Sequence, residues 1–156
     1  RAIDCRWPPR SALVCTVVLF GGCVTIHNAG LRAMSRWVAL GPLHPRVRIM
    51  TLICAQFILH LIEIVIFALG FYILVEYLHY GSLLNIVDNA PEIHSSNLTD
   101  YIYFSAVVYT TLGMGEIVPL GPIRFLTGME SVGGLLLITW SASFTFIKMQ
   151  KYWGHS

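Results

Sequence analysis

Two glycines alternate with larger residues in one short segment of the chain, which reads Thr110-Thr111-Leu112-Gly113-Met114-Gly115-Glu116. Glycine adopts backbone conformations that other residues avoid, so alternating glycines allow successive carbonyl oxygens to turn toward one side. Several copies of such a segment around one axis would form rings of carbonyl oxygens, which can replace the water shell of a cation. The segment is therefore a candidate ion-binding filter, with the Thr111 hydroxyl at its inner end.

The composition of the whole chain is that of a membrane protein. Of its 156 residues, 56% are hydrophobic and 12% are charged, whereas soluble domains have about 45–50% apolar and about 25% charged residues. A helix needs about 20 apolar residues to cross a bilayer, and three stretches meet this length, residues 11–31, 49–78 and 124–147. The net charge is only +2 and the basic residues form short clusters beside apolar runs, so a nucleic-acid partner is excluded.

A more polar region, residues 80–120, separates the second span from the third. Its middle part, residues 98–110, is long enough for about three helical turns, with Asn97 or Thr99 as the N-cap. A helix of this length can enter a membrane but cannot cross it. We therefore predict an all-α membrane protein with three transmembrane helices, a re-entrant pore helix and a filter loop.

The basic residues predict the orientation, because cytoplasmic loops carry an excess of Lys and Arg near the ends of spans. The region between the second and third spans has no Lys or Arg, so we expect the pore loop to lie outside the cell. With three spans, the N-terminus then lies outside as well. The basic residues that we place inside are Arg32, Arg36, Arg46 and Arg48 in the first loop and Lys148 and Lys151 in the tail. The N-terminal assignment opposes the positive charges of Arg1, Arg6 and Arg10.

The chain accordingly divides into three parts. Residues 1–48 hold the first transmembrane helix and a basic cytoplasmic loop, residues 49–148 form a pore domain, and residues 149–156 are a short cytoplasmic tail. Within the pore domain we predict an outer helix at 49–78, a pore loop at 80–120 and an inner helix at 124–147.

Residues 103–116 resemble the pore helix and filter of potassium channels, whose signature is T-V-G-Y-G-D, and the resemblance extends over about residues 49–148. It implies a homotetramer, in which three identical subunits join this chain in the lipid bilayer of the plasma or cell inner membrane. It also implies ion transport rather than an enzyme activity, with potassium ions in the filter and no other cofactor. The residues that would bind potassium through backbone carbonyls and the Thr hydroxyl are Thr111, Leu112, Gly113, Met114 and Gly115.

The segment departs from this signature at three positions, with Leu112 for valine, Met114 for tyrosine and Glu116 for aspartate. In the family the tyrosine braces the filter by a hydrogen bond to the pore helix, which a thioether cannot donate and which Phe104 cannot supply either. We therefore predict a potassium-channel-like cation channel that conducts dehydrated ions, with a weakly selective or non-selective cation channel as the alternative. The residues predicted to support the filter are Phe104, Thr110, Glu116 and Glu130.

The third span carries a mildly polar stripe that could line a water-filled cavity below the filter. Its members are Leu136, Thr139 and Ser143, which are spaced for one helix face. We expect Trp140 to pack on the second span or lipid instead. Three glycines in the outer half, Gly128, Gly133 and Gly134, indicate either close helix contacts or a gating hinge.

A buried polar cluster is predicted on the second span, where Gln56, His60 and Glu63 share one helix face. An ionisable side chain near mid-membrane costs at least about 2.5–3.5 kcal/mol unless it is paired or hydrated. With the N-terminus outside, His27 lies level with His60 and brings Asn28 beside it, while Glu130 is too shallow to join. Such a cluster either fastens the first helix to the pore or forms a proton-sensitive gate.

Two readings from other classes compete with a conducting channel. The pairs His60/Glu63 and Glu76/His79 have a spacing that can bind a metal, which suggests a membrane metalloenzyme. Sixteen residues, about 24 Å of helix, separate His60 from Glu76, and no third or fourth ligand is evident near either pair, so this reading is disfavoured. The second competing interpretation is a non-conducting accessory subunit of a larger membrane complex. No span has the regular Arg or Lys spacing of a voltage sensor.

Overall fold

The computed structural model describes residues 10–40, 44–86, 97–113 and 115–153. Three of its helices are long and apolar enough to cross a membrane, and a shorter helix lies between the last two in the chain. The fold is therefore that of an all-α membrane protein, as the sequence predicts. The elements in chain order are α1 (Arg10–Leu40), α2 (Pro45–Tyr72) followed by a π-helical turn (Ile73–Tyr77), β1 (Ser82–Asn85), α3 (Leu98–Tyr109), β2 (Ile117–Leu120) and α4 (Ile123–Trp153).

Local sequence explains where the helices begin. Pro45 occupies the first turn of α2, where its missing N–H is not needed, and the preceding His44 side chain accepts a hydrogen bond from the backbone N–H of Arg46. Asn97, one of the two residues predicted as the N-cap of α3, occupies that position without a side-chain capping hydrogen bond, and Asp100 lies in the first turn, where a negative charge is favourable.

The helices α1 and α4 extend beyond the predicted apolar spans. α1 continues past residue 31 to Leu40, and α4 continues past residue 147 to Trp153. Hydropathy marks only the apolar part of a helix, whereas backbone hydrogen bonds continue through the polar turns that follow. At this end of the bundle the Lys148 amine donates to the Ser35 hydroxyl at 2.6 Å, which joins the extension of α4 to that of α1.

A small antiparallel sheet closes the pore loop and was not predicted. Strands β1 and β2 pair in a register that places Leu83 opposite Pro119 and Asn85 opposite Ile117. Each strand has only four residues, and a proline within a run argues against a strand, so sequence periodicity gave no signal. Gly81 has φ +152°, and a Cβ atom there would lie 2.2 Å from the Leu120 carbonyl oxygen.

The core forms where α3 packs between α2 and α4. Phe104 of α3 meets Phe71 of α2 edge to face, with ring centroids 5.1 Å apart. The helix α1 packs on α2 and α4 as well. Its first turn contacts the pore-loop end of α2, because the Ser11 and Tyr80 hydroxyls lie 2.6 Å apart. The N-terminal end of α1 and the pore loop therefore lie at the same end of the bundle.

Candidate functional site

The candidate filter segment follows directly from the C-terminal turn of α3. The backbone N–H groups of Thr111 and Leu112 donate to the carbonyls of Val108 and Val107 at 3.0 and 3.1 Å. The chain then leaves the helix through two residues with positive φ, Thr111 at +57° and Gly113 at +106°. A non-glycine residue at positive φ is uncommon, so the backbone here is held in an unusual shape. Met114, a predicted filter residue, lies outside the residues that the structure describes.

The described part of the filter segment is open to solvent in the single chain. Leu112 is 81% exposed, and Thr111, Gly113, Gly115 and Glu116 are exposed as well. The C-terminal end of the segment is held in place, because the Glu116 carbonyl accepts a hydrogen bond from the Ile86 N–H at 2.8 Å. The segment is thus fixed at both ends, by α3 and by the residue after β1, while its described residues between them are exposed.

The predicted supporting residues occupy different places around α3. The Phe104 ring packs on Phe71 of α2. The Thr110 hydroxyl donates within its own helix, to the Ala106 carbonyl at 2.7 Å. Glu130 of α4 is fully buried behind the middle of α3, where one carboxyl oxygen lies 2.5 Å from the Ser105 hydroxyl. Its other oxygen has no hydrogen-bond partner among the described residues.

The predicted cavity stripe lies on an exposed face of α4. Leu136 is 55% exposed, and Thr139 and Ser143 are exposed too. Both hydroxyls bond to carbonyls of α4 itself, Thr139 to Leu135 at 2.9 Å and Ser143 to Thr139 at 3.0 Å. This face is therefore less polar than its composition suggests, because the hydroxyl hydrogens are already used.

Trp140 packs against the first helix, with its ring centroid 5.3 Å from that of His27. We predicted that Trp140 would pack on the second span or lipid, and this prediction did not include the contact with α1. α1 lies against α4 at this level, which leaves the indole 41% exposed.

Two of the three glycines of α4 lie at close contacts. A Cβ atom on Gly134 would be 2.2 Å from the Tyr109 carbonyl oxygen, and one on Gly133 would be 2.7 Å from the Phe20 ring of α1. A Cβ atom on Gly128 would meet nothing within 4 Å. α4 runs without interruption from Ile123 to Trp153, so Gly133 and Gly134 provide close packing in this state of the chain.

The polar residues of the second span meet the first helix in a buried cluster. The His27 Nδ1 atom lies 2.9 Å from Oε1 of Glu63, and the His60 Nδ1 atom lies 3.1 Å from Oε2. The Tyr109 hydroxyl donates to the same Oε2 at 2.5 Å and is 2.8 Å from the His60 Nδ1 atom. His27 and Glu63 are completely buried. The carboxylate thus joins α1 and α2 to the last residue of α3.

Ser141 of α4 closes the far side of this cluster. Its hydroxyl oxygen is 3.0 Å from His60 Nε2 and 3.3 Å from His27 Nε2. The Gln56 amide donates to the Ser141 carbonyl at 3.3 Å and accepts from the Thr145 hydroxyl at 2.7 Å. Among the described residues, Gln56 is therefore connected to the histidines through Ser141. Asn28 is half-buried, and the described residues show no hydrogen bond from it to the cluster.

The second His/Glu pair belongs to a different environment. Glu76 accepts a hydrogen bond from the Tyr101 hydroxyl at 2.8 Å, and His79 is exposed at φ +53°. Burial, together with this hydrogen bond and the charge of Glu76, raises the pKa of Tyr101 above its usual range. Tyr101 therefore stays a hydrogen-bond donor at neutral pH and links α3 to the π-helical turn.

Sequence reasoning missed Tyr109, Ser141 and Ser105 as members of these buried contacts. A signal for Ser141 was available, because Glu130, Gly134, Leu137 and Ser141 recur at helical spacing on one face of α4. All four are buried in the structure. Tyr109 and Ser105 gave no comparable signal, since both lie in a short helix that is apolar on several sides.

Comparison with known families now identifies the class of protein. The model of the ion channel family matches residues 59–151, which include the second half of α2, the whole of α3, the candidate filter segment and nearly all of α4. The chain therefore belongs to the ion channel family. With its three apolar helices, it is an integral membrane protein. Comparisons with curated proteins and with solved structures find no match.

Proposed function

We propose that the protein is one subunit of a homotetrameric, potassium-channel-like cation channel whose filter is formed by residues 111–115. The observation that supports this most directly is the shape of Thr111 to Gly113. These residues form exposed, non-helical backbone at the end of a short helix, between two helices long enough to span a membrane. Irregular backbone at membrane depth is tolerated where it lines a water-filled path.

The electrostatics of α3 favour a cation at this position. A helix carries a partial negative charge at its C-terminus, and the C-terminal residue Tyr109 directly precedes the filter segment. Carbonyl oxygens of Thr111, Leu112, Gly113, Met114 and Gly115 would supply the rest of the ion's coordination in place of water. Potassium ions are the cargo of this site, and it requires no other cofactor.

Four copies of the chain would complete the site, because carbonyls from one chain cannot surround an ion. A cavity of about 480 Å³ lies beside the filter, between α3 and the outer half of α4, lined by residues that include Val107, Thr111, Thr127, Gly128 and Ser131. On α4, Val132 is 58% exposed and Leu136 is 55% exposed. Apolar surface next to a filter is what a neighbouring subunit would cover.

We place the pore loop outside the cell and the C-terminus in the cytoplasm, in the plasma or cell inner membrane. The contact between Lys148 and Ser35 supports this orientation, because it joins the ends of α1 and α4 that carry the basic residues. Cytoplasmic ends of spans are those with an excess of Lys and Arg.

Reconstitution of the purified full chain into lipid tests the proposal. We expect a tetramer in mild detergent, and a cation current in planar bilayers whose reversal potential shifts under a potassium gradient. Measuring the reversal potential again under mixed potassium and sodium tests selectivity. A folded tetramer that passes no ions would indicate an accessory subunit instead, and a monomer or dimer as the sole species would exclude the tetrameric pore.

A further inference from the structure

Three potential metal ligands from two helices converge in the buried cluster. One ligand atom from each of His27, His60 and Glu63 lies within 4.8 Å of the others. His27, which α1 brings against α2, supplies the third ligand beside the His60/Glu63 pair. We propose that these three side chains bind one transition-metal ion of the zinc type, with the Tyr109 hydroxyl at the fourth position.

The ligand atoms for which a distance is known lie somewhat closer together than the ligand atoms of a tetrahedral site, and the two histidines face different oxygens of Glu63. Zinc binds imidazole nitrogen at about 2.0–2.1 Å and carboxylate oxygen at about 2.0–2.2 Å, so neighbouring ligand atoms lie about 3.3 Å apart. The two His Nδ1 atoms are 2.9 and 3.1 Å from the Glu63 carboxyl oxygens. Small rotations of the side chains would therefore open a space for the ion.

Tyr109 is placed to complete the coordination. Its hydroxyl oxygen is 2.8 Å from His60 Nδ1 and 2.5 Å from a Glu63 carboxyl oxygen. Two imidazoles and a carboxylate are a known set of three protein ligands for zinc, with the fourth position left to a water or another oxygen. The Tyr109 hydroxyl oxygen lies where it could take that position.

The hydrogen bonds of Ser141 fit the metal-bound form of both histidines. When both Nδ1 atoms bind a metal, both Nε2 atoms carry hydrogen, and the Ser141 hydroxyl oxygen has two lone pairs to accept them. Without a metal, the Nδ1 atoms of His27 and His60 must each donate to a Glu63 carboxyl oxygen, because the Tyr109 hydroxyl also donates to this carboxylate. Two bare Nε2 atoms then compete for the single hydrogen of Ser141, unless one ring carries an additional proton.

Such second contacts are typical of metal sites, where a histidine ligand donates its other ring N–H to a nearby acceptor. The Glu63 carboxylate would offset part of the charge of the ion in this fully buried environment. The ion would hold α1 and α2 against the residue that precedes Thr110. This site is independent of the proposed conduction, since it stands whether or not the filter passes ions.

Metal titration of the full chain, purified without a polyhistidine tag and first stripped by a chelator, tests the site. We expect zinc to bind at about one ion per chain and to raise the midpoint of thermal unfolding. Cobalt should give the visible absorption bands of a tetrahedral site with nitrogen and oxygen ligands. Ser141→Ala keeps all four ligands and should weaken zinc binding about 10–100-fold.

His60→Gln should lose zinc binding, and His79→Asn is its matched control. The control removes an exposed imidazole from a residue at φ +53°, a conformation that Asn tolerates, so its zinc affinity should equal that of the wild type. Folded wild-type protein that neither retains zinc nor develops cobalt bands would overturn the proposal, and would indicate a protonated histidine pair in its place. Equal zinc binding by His60→Gln and the wild type would overturn it too. Neither result depends on an ion current.

Discussion

The carbonyl oxygen of Tyr109 lies 2.2 Å from the position that a Cβ atom on Gly134 would occupy. The helix α4 therefore touches the backbone of α3 at its last residue, directly before the candidate filter segment. Because this contact is formed by backbone atoms of both residues, no flexible side chain could move away to make room for a Cβ atom at position 134. The position of this end of α3 thus depends on the absence of a side chain at residue 134.

Gly134→Ala should destabilise the chain by about 1–3 kcal/mol, the usual cost of overpacking, and should reduce ion flux because α3 is displaced. Gly21→Ala is the matched control, since a Cβ atom there would meet nothing within 4 Å. Thermal unfolding and ion flux in liposomes measure the two effects. Wild-type stability and flux in Gly134→Ala would show that α3 and α4 are not this close in the membrane.

The contact between His27 and Glu63 predicts that substitutions at these positions are coupled. His27→Ala and Glu63→Gln each remove one side of the same buried contact at 2.9 Å. Their combined effect on tetramer stability should therefore differ from the sum by about 0.5–3 kcal/mol. Glu63→Gln combined with Ser11→Ala is the control pair, because Ser11 contacts Tyr80 at the pore-loop end of the bundle. Additive effects in the first pair would contradict the contact.

Glu130 should tolerate an uncharged replacement of the same shape. The Ser105 hydroxyl lies near two acceptors, the Ile64 carbonyl at 2.9 Å and Glu130 at 2.5 Å, but it has one hydrogen. A donor at position 130 leaves that hydrogen for Ile64, and the amide of Gln can donate to Ser105. Glu130→Gln should therefore retain the unfolding midpoint and ion flux, whereas Glu130→Ala should cost about 1–3 kcal/mol. Equal loss in both variants would show that the negative charge itself is needed.

The main helices could be predicted from sequence because each depends on its own composition. Apolar length identified α1, α2 and α4, and the N-cap signal at Asn97 gave the start of α3. The sheet could not be predicted, since pairing of Leu83 with Pro119 joins short strands far apart in the chain.

The same limit applies to the site. Helix periodicity placed His60 and Glu63 on one helix face, and the equal depth of His27 and His60 in the membrane pointed to His27. Neither of these patterns determines which residue of α4 faces the two histidines. The contact of Ser141 with both histidines depends on how α4 is shifted along α2. That shift is set by close approaches such as Gly134 to Tyr109, which involve backbone atoms and leave no pattern in hydropathy.

Met114→Tyr should increase the preference for potassium over sodium, because a phenol can donate a hydrogen bond that a thioether cannot. A more rigid filter then resists adjustment to the smaller ion. The reversal potential under mixed potassium and sodium measures the change, with Met114→Phe as the control that adds a ring without a hydroxyl. Phe104→Trp would add an indole N–H donor, but the ring at position 104 packs on Phe71 of α2. Strong potassium selectivity in the wild type would show that the filter is braced by other groups.

Gly113→Ala tests the filter most directly, because the obstacle at this position is the backbone conformation rather than space. Gly113 has φ +106°, yet a Cβ atom there would meet nothing within 4 Å. Gly128→Ala is the matched control, since its Cβ atom would also meet nothing within 4 Å and its backbone is helical. An L-residue in a left-handed conformation costs about 1–2 kcal/mol, and four subunits would each bear it. We expect Gly113→Ala to assemble as the wild type does but to lose its cation current, and Gly128→Ala to keep both. A wild-type current in Gly113→Ala would remove residues 111–115 as the filter, because the carbonyl arrangement proposed here requires that conformation.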